Sequence, residues 1–184
     1  AGVQVTVYEH KPSVGRKLLL AGRGGLNLTH SEPLPALLAR YGPDDAARTR
    51  LAAAIQAFPP ETLVAWAEGL GQKTFTGSSG RIFPKAMKAS PLLRAWLRRL
   101  DGQGVELRTR HRWTGWDQSG ALQFVDETGR MKSCEASATL LALGGASWPR
   151  LGSDGRWAGI LSSIGVPIAP IEPANAGVVI SWSE

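Results

Sequence analysis

A short apolar strand that ends in an acid is the feature of this sequence that most constrains its fold. Residues 3–8 alternate between the two sides of an extended chain and are rich in β-branched side chains, which predicts a β-strand. Glu9 ends this strand. A carboxylate in that position can accept hydrogen bonds from two neighbouring ribose hydroxyls. The pattern therefore indicates a nucleotide site, although a strand that ends in Glu is also common elsewhere.

Two cations and a glycine-rich loop follow this acid. Arg16 and Lys17 come first, and Gly22, Gly24 and Gly25 come next. Glycines allow backbone N–H groups to approach a ligand closely, but glycine-rich loops are also ordinary turns. The acid comes first, the basic pair second and the glycine loop third. This is the order in which a dinucleotide would require contacts to its ribose and then to its pyrophosphate.

The longer sequence around this loop resembles a known family. Residues 15–30, GRKLLLAGRGGLNLTH, are similar to the signature GRKxLxSGxGRCNxTN of the BaiN/RdsA-type flavoproteins, FAD-dependent oxidoreductases that include aminoacetone-oxidase-like proteins. Three more stretches match in the same order: GRIFPKAMKAS at 80–90, LALGGASWPRLGSDG at 141–155 and the tail PIEPANAGVVI. The chain departs from the signature at Gly25-Leu26, where the family has Arg-Cys, and at His30, where it has Asn. Chemistry that depends on that Cys is therefore not expected here.

The resemblance implies an α/β fold. The expected domain is a three-layer ββα, glutathione-reductase-type, Rossmann-like FAD/NAD(P)-binding domain with an antiparallel β-meander. It would occupy residues 1–173, with a helical insertion at about 33–71, and residues 174–184 would be the first strand of a second domain. Because no GxGxxG precedes Glu9, we expect the first β-α unit to lie upstream of Ala1. We then expect this chain alone to hold FAD poorly.

The resemblance also implies roles for individual residues. Glu9 would hold the adenosine ribose, the basic pair would neutralise the pyrophosphate, and two polar side chains after the glycine loop would lie near the flavin. A tryptophan at the start of the meander would lie near the adenine, although tryptophan in a strand is more often part of a core. The expected cofactor-binding residues are Glu9, Arg16, Lys17, Gly22, Gly24, Asn27, Thr29, Trp113, Gly144 and Gly145. No side chain is predicted as a catalytic acid or base.

Periodicity and turn residues predict the remaining elements. Trp113 and Trp116, three residues apart in a strand, should face opposite sides if the strand is regular. Asp154 is expected to cap a helix. Arg81, Lys85 and Lys88 form a basic cluster that is either solvated or a ligand contact. We expect helices from 33, over 44–58, from 60 and from Ser90, short strands within 72–90, a strand from 105 to 109, a meander over 111–135, a buried strand over 137–143 and a helix over 155–164.

Composition excludes several other classes of protein. The 184 residues are 43% hydrophobic and 20% charged, which suits a globular protein, and no apolar run reaches membrane-spanning length. We find no signal-peptide pattern. A single cysteine, Cys134, excludes an internal disulfide and suits a reducing cytoplasm. His10, His30 and His111 lack metal-ligand spacing, so we expect no metal.

The sequence therefore predicts a cytoplasmic, bacterial-type oxidoreductase that uses FAD, with NAD(P)H as a candidate electron donor and a small-molecule substrate. The net charge of +6 and the pI of about 10.0 leave two alternatives. One is a flavin-dependent reductase of uridine in ribosomal RNA. The other is a flavin-free RNA-binding module. The lack of an RNP motif and of a KH loop in the sequence argues against this alternative.

Overall fold

The computed structural model describes residues 2–41 and 46–172. The chain divides into two compact units, and each is described by itself. Unit 1 contains residues 1–5 and 15–106, and unit 2 contains residues 6–14 and 107–184. The predicted helix-favouring acids Asp44 and Asp45 and the predicted second-domain strand at 174–184 lie outside the described residues.

Unit 1 is mainly helical. Numbered in chain order across the whole molecule, its elements are α1 (Arg16–Ala21), β2 (Thr29–His30), α2 (Leu34–Ala39), α3 (Ala46–Ala57), α4 (Pro60–Gly69), β3 (Thr74–Thr76), β4 (Arg81–Pro84) and α5 (Ala89–Gly102). The strands form an antiparallel sheet in the order β2-β4-β3. The predicted helices and the short strands predicted within 72–90 are thus confirmed, with one addition: residues 16–21 are helical rather than part of a loop.

The core of unit 1 lies where α4 and α5 meet the glycine-rich segment. It consists of Leu26, Ala67, Ala89 and Leu92, which are all buried, and Trp66 packs against them. Apolar residues at three- and four-residue spacing put one face of α5 into this core. The sequence Ser90-Pro91 predicts Ser90 as the cap of this helix. The helix instead begins at Ala89, and its cap position is Lys88, two residues earlier, without a side-chain hydrogen bond.

Unit 2 contains a parallel strand pair and a meander. Its elements are β1 (Thr6–Tyr8), β5 (Glu106–Arg108, which starts at the last residue of unit 1), β6 (Arg112–Trp116), β7 (Leu122–Val125), β8 (Met131–Cys134), a 3-10 helix (Pro149–Leu151) and α6 (Trp157–Ser163). Strands β1 and β5 pair, and the Glu9 N–H donates to the Arg108 carbonyl at 2.9 Å. Since residue numbers along β1 and β5 rise together in their hydrogen bonds, the pair is parallel.

The meander runs in the order β6-β7-β8 and is antiparallel throughout, as predicted. Asp117 and Asp126 each accept hydrogen bonds from a hydroxyl and two backbone N–H groups in the turns that follow them. These bonds lower the pKa of both carboxyls. The repeated use of one aspartate in each turn fixes the register of both hairpins.

Two predicted elements in unit 2 differ from the structure. Residues 137–143 form no strand, and Leu140 is 91% exposed. A strand exists only where a neighbour pairs with its backbone, and the strands that the structure describes do not pair with this segment. The final helix begins at Trp157 rather than 155, so Asp154 is not its cap residue; it accepts the backbone N–H of Arg156 just before the helix.

Candidate functional site

The C-terminal end of β1 places Glu9 on the wall of a cavity in unit 2. Its carboxylate Oε1 accepts the backbone N–H of Lys11 at 2.8 Å and lies 3.4 Å from Nδ1 of His10. Its own backbone is held on both sides, because its N–H donates to Arg108 and its carbonyl accepts from the His111 N–H. The position of this carboxylate is therefore set by the backbone of the strand pair.

The cavity has a volume of about 420 Å³ and lies wholly within unit 2. Aromatic rings, two carboxylates and two guanidinium groups share its wall. Tyr8 stacks on Phe124, with ring centroids 4.0 Å apart, and both rings line the cavity. Its other lining residues include Glu9, His10, His111, Arg112, Trp113, Thr114, Leu143, Gly152, Asp154, Arg156, Trp157 and Ile160. The site thus combines flat apolar surfaces with polar groups at its edge, as small-molecule sites do.

A bulge in β6 determines how Trp113 lies in this wall. The register of the β6–β7 pair shifts between Trp113 and Gly115. As a result, Trp113 and Trp116 do not face opposite sides as they would in a regular strand, and their rings meet edge to face with centroids 4.9 Å apart. The indole nitrogen of Trp113 is buried and has no hydrogen-bond partner among the described residues. The side chain of Trp113 lines the cavity.

The glycine pair Gly144-Gly145 lies in the same unit. Gly144 has φ of +72°, and a Cβ there would come within 2.7 Å of Oγ of the buried Ser153. Its carbonyl accepts the indole N–H of Trp157 at 2.9 Å. At Gly145, a Cβ would meet nothing within 4 Å. The packing of Ser153 therefore requires glycine at position 144, whereas the space beside Gly145 is open.

In unit 1, the predicted site residues fall along α1 and the loop after it. Arg16 is half-buried and Lys17 is exposed. A Cβ at Gly22 would lie 2.5 Å from Cβ of Ala89, so this glycine is explained by helix packing. Gly24 has open space around it. Asn27 is exposed and Thr29 is half-buried in β2, opposite Ile82, while Arg81, Lys85 and Lys88 are all exposed.

Several residues of the cavity were missed by sequence reasoning. His10 is adjacent to Glu9, and this position could have suggested it. Asp154 and Trp157 come from the loop and helix near residue 155, and no spacing in the sequence connects them with Glu9. Burial lowers the pKa of His10, and Lys11 and Arg112 lower it further, against the opposing effect of Glu9 and Asp154. Burial likewise raises the pKa of Tyr8.

A parallel strand pair whose first strand ends in a cavity-lining carboxylate is typical of Rossmann-type, nucleotide-binding α/β proteins. The family model described as HI0933-like protein Rossmann domain matches residues 1–181. The chain belongs to this family, and the match confirms the resemblance drawn from residues 15–30.

One curated relative matches most of the chain. It is a 3-dehydro-bile acid delta(4,6)-reductase of Clostridium scindens, 31% identical over 172 residues. The match covers 93% of this chain and 40% of the relative. The chain thus spans about two fifths of the length of this relative.

Two further observations concern other kinds of site. Over residues 2–41 and 46–172, no helix is both long and apolar enough to cross a membrane. In the same ranges, no three His, Cys, Asp or Glu side chains are grouped so that they could hold a metal ion.

Proposed function

We propose that the protein is an FAD-dependent oxidoreductase and that unit 2 of this chain holds the adenosine half of FAD. The observation that carries the proposal is the Glu9 carboxylate, fixed by the Lys11 N–H at the end of a parallel strand pair and exposed to a cavity. Membership of a Rossmann family supports a nucleotide ligand. The name of the relative, a reductase, supports redox activity.

The residues present in the cavity fit an adenosine. Its volume, about 420 Å³, lies within the range of small-ligand sites, roughly 300–1,000 Å³. Ribose hydroxyls donate hydrogen bonds, and the carboxylate of Glu9 accepts them. Because the Lys11 N–H already orients this carboxylate, little freedom is lost when a ribose binds. Trp113 and Tyr8 offer flat apolar surface for the base.

For the residues of unit 1, the proposed cofactor contacts rest on the family resemblance. Arg16 and Lys17 are proposed to neutralise phosphate, and Gly24 gives a ligand room to approach the backbone. Asn27 and Thr29 are proposed to lie on the flavin side. We do not propose Gly22 as a cofactor contact, because its packing against Ala89 explains why glycine occupies this position.

When bound, FAD would supply hydride or electron transfer, and the described residues would bind and orient it. No described side chain is proposed as a catalytic acid or base. NAD(P)H is the proposed electron donor, and a small molecule is the proposed substrate. The ribosomal RNA and flavin-free alternatives receive no support from the family description or from the name of the relative.

A comparison of FAD with FMN tests the proposal, because FMN lacks the adenosine half. We expect the protein to bind FAD more tightly than FMN. Glu9→Gln should weaken FAD binding by about 1–3 kcal/mol, the loss of charge-assisted hydrogen bonds, and should leave FMN binding unchanged.

Lys11→Ala is the matched control, since only the backbone of Lys11 contacts Glu9. This variant should bind FAD like the wild type. Equal affinity for FAD and FMN, or the same FAD affinity in Glu9→Gln and Lys11→Ala, would overturn the proposal. Dissociation constants from flavin fluorescence titrations provide the measurement.

A further inference from the structure

The segment from Gly144 to Trp157 closes on itself. The backbones of Trp148 and Ser153 pair through two hydrogen bonds, of 3.2 and 3.0 Å. Ser153 is 2% exposed and fills the space beside Gly144 that a Cβ would need. This closed loop brings the start of α6 back to the glycine pair.

Trp157 makes the link between this loop and the cavity. Its indole Nε1–H donates to the Gly144 carbonyl at 2.9 Å, across thirteen residues of chain. Its side chain also lines both the main cavity and a smaller adjoining one of about 200 Å³. One side chain therefore contacts the ligand cavity and a peptide carbonyl of the glycine pair.

This hydrogen bond fixes the direction of the next amide. The peptide between Gly144 and Gly145 is trans, so the Gly145 N–H points away from the Gly144 carbonyl that Trp157 holds. Two consecutive glycines would otherwise sample many backbone conformations. Gly145 is exposed, and a Cβ on it would meet nothing within 4 Å, so this residue leaves space for a ligand beside the peptide.

We propose that Trp157 is a positioning residue that holds the Gly144 carbonyl, so that the Gly145 N–H is ordered as a donor to an oxygen of the bound dinucleotide. The role rests on the proposed function, since it requires FAD as the ligand. It assigns a specific task to a residue that is neither an expected cofactor contact nor part of the glycine pair. Trp157 acts through the peptide, by reducing the conformational freedom that FAD binding would otherwise have to remove.

Trp157→Phe removes the N–H donor and keeps an aromatic ring, and Trp148→Phe is the matched control. Trp148 lies in the same loop, its side chain is 52% exposed, and its backbone hydrogen bonds survive the change. We expect Trp157→Phe to raise the dissociation constant of FAD about three- to tenfold, as the loss of one hydrogen bond implies. Trp148→Phe should have no effect.

Backbone ¹⁵N relaxation, measured without ligand, separates positioning from general stability. Gly144 and Gly145 should become mobile in Trp157→Phe, with an unchanged melting temperature, and stay ordered in Trp148→Phe. Benzothienylalanine placed at position 157 preserves the shape of indole without its N–H, and it should behave like Trp157→Phe even if phenylalanine perturbs packing.

The possible outcomes distinguish this role from the proposed function. If Glu9→Gln weakens FAD binding while both changes at Trp157 leave affinity and relaxation at wild-type values, only the positioning role is overturned. A weaker affinity that follows a lowered melting temperature in both Trp157 variants would also overturn it, in favour of a structural role. If the wild-type protein binds FAD no more tightly than FMN, the proposed function is overturned and this role with it.

Discussion

At the scale of single residues, the site depends on two adjacent side chains at the end of β1. Glu9 and His10 lie 3.4 Å apart on the cavity wall. The imidazole of His10 packs on Gly152, where a Cβ would approach it to 2.9 Å. Burial lowers the pKa of His10, so the ring is neutral near pH 7, and Lys11, Arg112 and Asp154 are the other charged groups that act on it.

This lowered pKa predicts a dependence of stability on pH. As the pH falls below about 6.5, the unfolded chain binds a proton at His10 before the folded protein does, so the free energy of unfolding decreases with falling pH. His10→Gln removes this difference in proton binding. We expect the wild type to lose more stability than His10→Gln between about pH 7.5 and 5.5, measured by urea unfolding. Equal losses in the two proteins would contradict the assignment.

Sequence reasoning predicted some residues of the site and missed others for a physical reason. Glu9 was singled out because it ends a strand and Trp113 because of the family resemblance, and both line the cavity. The prediction that Trp113 and Trp116 face opposite sides holds only for a regular strand, and one inserted residue in a bulge reverses the alternation of side chains here. Trp157 could not be predicted, since its contact with Gly144 depends on how a closed loop folds back.

At the scale of secondary structure elements, the glycines after α1 have two different tasks. Gly22 ends α1 and lies against the first residue of α5, where even a methyl group would collide with Ala89. Gly24, two residues later, has open space around it. One glycine therefore packs two helices, and the other leaves room for a ligand.

A matched pair of substitutions tests this division. Gly22→Ala should lower the free energy of unfolding by about 1–3 kcal/mol, because it overpacks a tight contact. Gly24→Ala should leave stability nearly unchanged but weaken FAD binding, if the cofactor approaches the backbone there. Urea unfolding and FAD titration of both variants provide the test. Similar stability in the two would show that α1 and α5 are not in close contact at this point.

The elements that the sequence predicted well are those whose signals are local. The helix periodicity of α4 and α5 and the turn residues of the meander lie within the elements that they define. The strand predicted over 137–143 is different, because an apolar run becomes a strand only through pairing with others. Its hydrophobicity was read correctly, but no strand that the structure describes pairs with it.

At the scale of the whole molecule, charge is distributed unequally between the two units. Unit 1 holds 13 of the 21 Lys and Arg residues and 7 of the 15 Asp and Glu residues, so it carries the whole formal charge of +6. Unit 2 holds the other eight of each and is neutral. Attraction of polyanions should therefore depend on unit 1.

Charge reversal in each unit tests this expectation. The double change Lys85→Glu and Lys88→Glu alters exposed residues of unit 1, and Arg130→Glu with Lys132→Glu alters exposed residues of unit 2 by the same amount. Only the first pair should lower the salt concentration at which the protein leaves heparin. Equal shifts would show that net charge alone controls retention. Wild-type retention on ribosomal RNA above about 200 mM salt would instead favour the RNA alternative.

The central claim, that the cavity of unit 2 binds the adenosine half of FAD, is tested most directly by an NMR titration of this chain with ADP. ¹H–¹⁵N spectra detect even weak binding and report it residue by residue. We expect shift changes at residues 8–10, 111–114, 142–145 and 152–157, and their loss in Glu9→Gln. No change at these positions under excess ADP, or the same changes in Glu9→Gln, would contradict the account.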